Sequence, residues 1–335
     1  MEKQLSTLPY SVLDLAVVKE GATIPDTFTR SLQLAQHVEK LGYTRFWLAE
    51  HHNMINVASS ATSVLIGYIA GGTSSIRVGS GGIMLPNHSP LIIAEQFGTL
   101  ASLYPGRIDL GLGRAPGTDQ LTAYAIRGGR FDAANSFPQD VLQLQTYFSK
   151  ENSSAKVRAI PGEGIDIPIW ILGSSTDSAH LAAAFGLPYA FASHFAPAQF
   201  RTAINIYRHN FKPSAHLNKP YVMACVNVIA ADTDAEANRL ASSLFQMFKG
   251  IATGNRKYLQ PPVEKMEPWT EYEEAIVNQM LAISFIGGPE KLKTTMQQFV
   301  SETQIDEVMI SSNIYDHEAK LYSYQLFSEV LKRAS

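Results

Sequence analysis

Three ionisable side chains follow a short apolar run near the start of the chain. Residues 46–49 (FWLA) have the composition and length of a buried strand, and Glu50, His51 and His52 come directly after them. In α/β proteins, catalytic side chains lie at the carboxyl ends of parallel strands. A histidine there can accept or donate a proton near neutral pH. Glu50 and His51 are therefore the candidate catalytic residues, and the alternative is a histidine that only satisfies buried backbone.

Two later segments are suited to binding an anion. Arg114 follows the strand-like residues 107–112 in glycine-rich surroundings, where a guanidinium could form two parallel hydrogen bonds with a phosphate. A second apolar run, 167–172, leads into a turn that opens a helix, and helix N-termini attract anions. The serines of this turn are Ser174, Ser175 and Ser178. The alternatives are an ordinary surface arginine and a serine that only caps its helix.

Glycines interrupt two of the predicted strands. Gly81 and Gly82 lie within residues 76–85, where they indicate a bulge or a close approach of the backbone to a ligand. Residues 111–117 imitate a dinucleotide-binding glycine pattern. They follow the fourth strand rather than the first, contain Pro116 and lead into no apolar-periodic helix, so a Rossmann site is not expected.

The elements that position these residues alternate regularly between strand and helix. The predicted strands are residues 11–18, 45–50, 76–85, 107–112, 167–172, 189–193, 221–229 and 307–310. Without any shift in composition, this rhythm predicts one domain over residues 1–335, a (β/α)8 TIM barrel with insertion loops at the C-terminal ends of the strands. An open doubly wound sheet is the alternative. Residues 118–135 read as an irregular polar loop, and the proline-containing segment 250–270 as a mobile lid over the strand ends.

Composition excludes several classes of function. The 335 residues are 45% hydrophobic with a net charge of −3 and no basic run, which argues against nucleic-acid binding. No apolar run reaches the roughly 18–20 residues of a membrane-spanning helix. The single cysteine, Cys225, lies in an apolar run and excludes an intramolecular disulfide and a cysteine-based zinc cage. We expect a cytoplasmic protein without a metal.

Taken together, four segments resemble the bacterial luciferase-like flavin monooxygenases over nearly the full chain. They are residues 47–52, 78–86, 106–114, and 183–188 with the serines that precede them. The first three occur in the order and spacing of that family. The resemblance implies a TIM barrel and a flavin, usually reduced FMN supplied by a separate reductase, at the carboxyl ends of the strands.

The resemblance also implies roles for individual residues. The family histidine that assists flavin chemistry falls on His51, and the phosphate-binding arginine falls on Arg114. The phosphate contacts at the helix start fall on Ser174, Ser175 and Ser178.

A non-proline cis peptide bond of the family falls on Gly81–Gly82, and these glycines would leave room for the isoalloxazine ring. Ser174 replaces a family glutamate, and Gly113 replaces the reactive cysteine of luciferase. Segment 250–270 has no counterpart, so neither the luciferase aldehyde substrate nor light emission is implied.

The function expected on this basis is a two-component monooxygenase that uses reduced FMN and O2 and inserts one oxygen atom into a small organic substrate. A homodimer is implied, built from the helices predicted at 59–71 and 91–103. Two alternatives stay open: a flavin- or F420-dependent reductase that transfers hydride on the same barrel, and a flavin-binding protein without turnover. The sequence does not identify the substrate.

Overall fold

The computed structural model describes residues 3–128 and 134–333. Its strands are β1 Tyr10–Asp14, β2 Arg45–Leu48, β3 Arg77–Met84, β4 Ile108–Gly113, β5 Ile169–Gly173, β6 Tyr189–Phe191, β7 Val222–Ala230, β8 Ser284–Gly287 and β9 Glu307–Ser311. Its α-helices are α1 Ile24–Leu41, α2 Thr62–Gly71, α3 Pro90–Leu103, α4 Gln120–Arg127, α5 Phe137–Phe148, α6 Thr176–Phe185, α7 Phe200–Asn210, α8 Asp234–Ala252, α9 Glu271–Met280, α10 Pro289–Thr303 and α11 His317–Lys332. No helix within these residues is long and apolar enough to cross a membrane.

Eight parallel strands close into a barrel with the helices around it. Strands β1 to β7 pair in sequence order, and β9 closes the ring between β7 and β1. This closure confirms the predicted TIM barrel and excludes the open sheet. The ninth strand, β8, was not predicted. It lies outside the ring, parallel to residues 227–230 of β7. Its four residues lead directly into Gly288 and Pro289, and these residue types are more typical of a turn than of a strand.

Side chains alternate between the two faces of each strand. On β2, Phe46 packs outward in the main hydrophobic cluster, whereas Trp47 belongs to a separate cluster inside the barrel. Trp170 meets Trp47 edge-on, with ring centroids 5.2 Å apart. Cys225 lies in the same inner cluster as a free, buried thiol, as its apolar neighbours predicted.

A charged network fills the barrel at the amino-terminal ends of the strands. Arg45 lies between two fully buried carboxylates, with Nη1 2.9 Å from Oδ2 of Asp109 and Nε 3.0 Å from Oε1 of Glu307. Trp47 and Arg77 also bond Asp109. Burial opposes the charged form of Arg45, but the two carboxylates outweigh burial and raise its pKa. The network balances charges that would be costly to bury alone.

The glycines of β3 serve close packing. The peptide bond Gly81–Gly82 is cis, as the resemblance implied. A Cβ atom on Gly81 would lie 2.7 Å from Cδ1 of Leu13, and one on Gly82 would lie 2.7 Å from the carbonyl oxygen of Gly111. Protein atoms therefore occupy the space that the missing side chains leave. These contacts explain why both positions require glycine, and the place of Gly81 and Gly82 beside a flavin ring stays a prediction.

Helix α4 corrects the irregular loop predicted at 118–135. Asp119 caps it by accepting a hydrogen bond from the amide of Thr122 at 3.0 Å, and it ends at Gly128, whose φ is +58°. The helix was not predicted because its sequence is polar. Its start is marked by the capping side chain of Asp119 rather than by apolar periodicity. Residues 129–133 of that predicted loop lie outside the described residues.

The segment predicted as a lid is irregular only between two helices. Helix α8 extends to Ala252, and Thr270 caps α9, so residues 253–269 form the connection. Leu259 is buried in its middle and pairs with the backbone beyond β1: its amide donates to Val18, and its carbonyl accepts from Glu20. The connection is thus fastened near its centre, at the carboxyl-terminal side of the barrel.

Candidate active site

His51 lies just beyond β2, with one ring nitrogen engaged. Its Nδ1 is 3.3 Å from the carbonyl oxygen of Gly117, and its amide donates to Ser59 at 2.9 Å. A hydrogen bond to a carbonyl requires the proton on Nδ1, which leaves the lone pair on Nε2. Burial lowers the pKa of His51, and the positive charge of Arg256 acts in the same direction. The ring is therefore neutral at neutral pH, with Nε2 as a proton acceptor.

Glu50 is enclosed and holds the surrounding loops together. Its Oε1 lies 2.9 Å from Nε2 of both His52 and His88, and its Oε2 accepts a hydrogen bond from the amide of Met84 at 2.9 Å. Burial raises the pKa of this carboxyl, but the hydrogen bonds from His52 and His88 outweigh burial and lower the pKa to about 2. Glu50 is 1% exposed, and these bonds fit a role in positioning its neighbours. Its role in catalysis stays a prediction.

Two further histidines at this end were not identified from the sequence. His88 follows β3 and shares Glu50 with His52. His194 follows β6, and burial lowers its pKa to about 3, with the neighbouring His51 acting in the same direction. Both obey the rule that selected His51, a histidine just past a predicted strand.

The surroundings of His194 include buried polar atoms that form no hydrogen bond with the described residues. Among the described residues, Nδ1 of His194 and Oδ1 of Asn227 are buried without a hydrogen-bond partner. The two residues are joined, because Nδ2 of Asn227 donates to the backbone carbonyl of His194 at 2.6 Å. Buried polar groups are seldom left unsatisfied, so this arrangement is suited to a bound molecule with its own donors and acceptors.

Arg114 and the start of α6 lie together, as their sequence positions predicted. Nη2 of Arg114 is 3.1 Å from Oδ2 of Asp177, which belongs to the first turn of α6. Both side chains are exposed, 51% and 67%. Ser175 does not cap the helix with its side chain, and Oε1 of Gln199 accepts a hydrogen bond from the amide of Thr176 at 3.1 Å. A phosphate group could replace Asp177 as the partner of Arg114, since the positive end of the helix dipole and the guanidinium both favour it.

The three serines of the turn have different surroundings. Ser178 faces the fold, where its Oγ donates to the carbonyl oxygen of Ser175 at 2.7 Å and lies 2.9 Å from Oη of Tyr189. Ser174 and Ser175 are half-buried at the turn itself. Arg114, the backbone amides of the first turn and these two serines form a donor set whose chemistry fits the phosphate of FMN.

A family profile described as "Luciferase-like monooxygenase" matches residues 9–307. An Escherichia coli protein named "Luciferase-like monooxygenase" is 50% identical over 97% of this chain and 97% of its own length. The Bacillus subtilis protein YvbT is 54% identical, covering 96% of both chains. The crystal structure of apo-MsnO8 superposes with a TM-score of 0.89 at 34% identity, covering 96% of this chain and 98% of that one.

Other similar proteins carry names that state a chemistry. A Bacillus subtilis "N-acetyl-S-alkylcysteine monooxygenase" is 33% identical over 97% of this chain and 98% of its own. Two distant structures share the fold alone. One is the oxygenating constituent of 3,6-diketocamphane monooxygenase from Pseudomonas putida with FMN, at a TM-score of 0.74, 16% identity and 98% of both chains. The other is an F420-dependent secondary alcohol dehydrogenase with an F420-acetone adduct. Its TM-score is 0.72 at 14% identity, covering 98% of this chain and 99% of that one.

Proposed function

The chain belongs to the luciferase-like monooxygenase family, and on that premise we propose that it is an FMN-dependent monooxygenase served by a separate flavin reductase. The observation that carries the proposal is the pairing of Arg114 with the first turn of α6, which offers a cation and the positive end of a helix dipole to a phosphate at the carboxyl end of the barrel. When bound, reduced FMN supplies the two electrons with which one atom of O2 enters the substrate and the other leaves as water.

The residues of the chain would bind, orient and manage protons around this chemistry. His51 presents Nε2 as a neutral acceptor, held in place by the carbonyl of Gly117. Glu50 holds His52 and His88 by hydrogen bonds, so these side chains keep their positions beside His51. His194 and Asn227 offer polar atoms that could bind the substrate or the flavin.

The substrate in this proposal is a small organic molecule. The relative whose name states that it oxygenates N-acetyl-S-alkylcysteines makes thioethers the first compounds to test. Anaerobic titrations with reduced FMN and with reduced F420 separate the proposal from a reductase. Reduced FMN should bind and F420 should not. Tighter binding of F420, followed by oxidation of F420 by an organic acceptor, would favour the reductase.

Replacing Arg114 by alanine should weaken FMN binding by roughly 1.5–3 kcal/mol, the scale of a charge-assisted hydrogen bond. Fluorescence titration measures the affinity. Arg158→Ala is the control, because Arg158 is a similarly exposed arginine whose ion-pair partner, Glu163, does not belong to α6. Asp177→Asn should not weaken binding, since the phosphate takes the place of this carboxylate. An unchanged affinity in Arg114→Ala would remove the phosphate assignment.

We propose that residues 253–269 act as a lid over His51. The influence of Arg256 on the pKa of His51 supports their closeness. Amide hydrogen exchange should be faster along this segment than in the barrel strands, apart from Leu259 and Val263, whose amides are bonded to Val18 and to Oγ of Ser242. Exchange as slow as in β7 throughout the segment would contradict a mobile lid.

We propose that the protein is a homodimer formed through α2 and α3. Apolar side chains are exposed on both helices, Val64 and Tyr68 on α2 and Ile92 on α3. Sedimentation at micromolar concentration should give a dimer, and Val64→Asp should shift it toward monomer because a charge would be buried in the interface. Ile24→Asp, at an exposed apolar position on α1, is the control. A parent protein that sediments as a monomer would contradict this arrangement.

A further inference from the structure

A second polar cleft lies between α1 and α11, beyond the ends of β1 and β9. Its chemically active lining residues are Asp14, Lys19, Arg30, Ser312, His317 and Lys320. None of these residues belongs to the groups described around His51 or Arg114. The cavity in the cleft has a volume of about 40 Å³ and is open to solvent.

The charges of the cleft are unbalanced toward positive. Lys320 pairs with Asp14 at 3.3 Å, and Asp14 also accepts a hydrogen bond from Ser31 at 2.6 Å. Lys19 and Arg30 form no ion pair with any part of the chain that the structure describes. Three cations thus face the single lining carboxylate of Asp14.

Two acidic side chains stand near the cleft without lining it. The pKa of Asp26 is lowered mainly by its hydrogen bonds with Thr23 and to a smaller extent by the nearby charge of Arg30. Asp316 caps α11 by accepting from the amide of Ala319. Burial lowers the pKa of Lys19, and the charge of Arg30 acts in the same direction despite the opposing charge of Asp316. These two carboxylates offset part of the positive charge, but neither of them lines the cleft, where Lys19, Arg30 and Lys320 face Asp14.

Two unpartnered polar atoms line the same cleft. Oγ of Ser312 and Nε2 of His317 are buried without a hydrogen-bond partner among residues 3–128 and 134–333. Only 3% of Ser312 is exposed. Burial lowers the pKa of His317 to about 4, and Lys320 and Arg30 act in the same direction. The imidazole is thus neutral at neutral pH and, like the hydroxyl, can donate a hydrogen bond to an acceptor in the cleft.

We propose that this cleft binds a small tetrahedral oxyanion, phosphate or sulfate, through Lys19, Arg30 and the hydroxyl of Ser312. An oxyanion supplies the negative charge and the acceptor atoms that these groups lack. The cavity volume of about 40 Å³ corresponds to roughly three water molecules, which is enough for one small anion.

Anion binding in this cleft would also affect the connection between α8 and α9, residues 253–269. Leu259 lines the cleft, and its backbone is bonded to residues 18 and 20, which flank Lys19. An anion that fixes Lys19 would therefore steady this point of attachment. Slower hydrogen exchange at residues 17–20 and 257–260 is the expected signature.

Calorimetric titration with inorganic phosphate and with sulfate tests the site, at ionic strength matched with chloride. The Arg114→Ala protein serves as the background, so that the flavin-phosphate site does not contribute. One anion should bind saturably in this background. Adding Lys19→Gln or Arg30→Gln should weaken binding about tenfold or more, the effect of losing one charge-assisted contact. Lys293→Gln, an exposed lysine on α10, should leave binding unchanged.

Three results would overturn the proposal. They are the absence of saturable binding in the Arg114→Ala background, an affinity in the added Lys19→Gln and Arg30→Gln variants that equals that of the background protein, and exchange protection confined to residues 174–178. Phenyl phosphate distinguishes the source of the oxyanion. It should bind more weakly than inorganic phosphate, and tighter binding would show that the cleft takes the phosphate group of a larger molecule instead.

Discussion

Replacing His51 by alanine should reduce the rate of substrate oxygenation by roughly 10²-fold or more, the usual effect of losing a general acid–base group. Affinity for reduced FMN should stay within a few-fold of the parent, because the groups that we propose for the phosphate are at β4 and α6 rather than at β2. The reason for the loss is specific: Nε2 of His51 is an acceptor whose ring is aimed by Gly117. Initial rates of product formation measure the first effect, and anaerobic titration measures the second.

His52→Ala is the matched control for this variant. Its Nε2 is taken up by Glu50, so it anchors a loop and is not placed to exchange protons with a ligand. Activity should fall less than in His51→Ala. A His51→Ala protein that oxygenates at the parent rate, or a larger loss in His52→Ala, would contradict the assignment.

The pH dependence of the same reaction follows from the lowered pKa of His51. A neutral imidazole is the active form, so the rate should fall as the pH decreases through a pKa that lies below the ordinary value of about 6.5. The His51→Ala protein should lose this acidic limb. An acidic limb that remains in the variant would belong to another group.

Arg45→Ala should lower the free energy of unfolding by roughly 3–5 kcal/mol, the second large effect that we expect. The substitution leaves Asp109 and Glu307, neither of them exposed to solvent, with fewer positive charges in the barrel interior. Urea denaturation followed by circular dichroism measures the change.

Arg201→Ala is the control for this stability measurement. Arg201 pairs with Glu302 at the surface, where the two side chains are 62% and 41% exposed, so its loss should cost within about 1 kcal/mol. Equal stability changes in the two variants would mean that the network around Arg45 contributes no more than a surface ion pair.

The eight barrel strands could be predicted because parallel strands buried on both faces are apolar runs. β7, buried along its whole length, is the clearest example. The missed elements lacked that signature. β8 has four residues beside a Gly-Gly-Pro sequence, and α4 is a polar helix recognisable mainly by its Asp119 cap.

The same strand-end rule selected His51 and Arg114, and the structure brings Arg114 to α6 as the sequence predicted. The rule could not predict that the side chain of Glu50 is buried, because its burial depends on His88, which follows a different strand. The contact between His194 and Asn227 likewise joins β6 and β7 in space, beyond the reach of local patterns. Strand order thus places candidates on one edge, whereas partners across the barrel set their roles.

The most direct test of the proposed monooxygenase is the fate of isotopically labelled O2. The parent protein, reduced FMN and a panel of thioethers that includes N-acetyl-S-alkylcysteines would be incubated with the labelled gas and the products weighed by mass spectrometry. The predicted result is a product that carries one labelled oxygen atom per turnover and whose formation falls in the His51→Ala protein. Products formed without O2 at the expense of reduced F420, or label recovered only in peroxide and water, would contradict it.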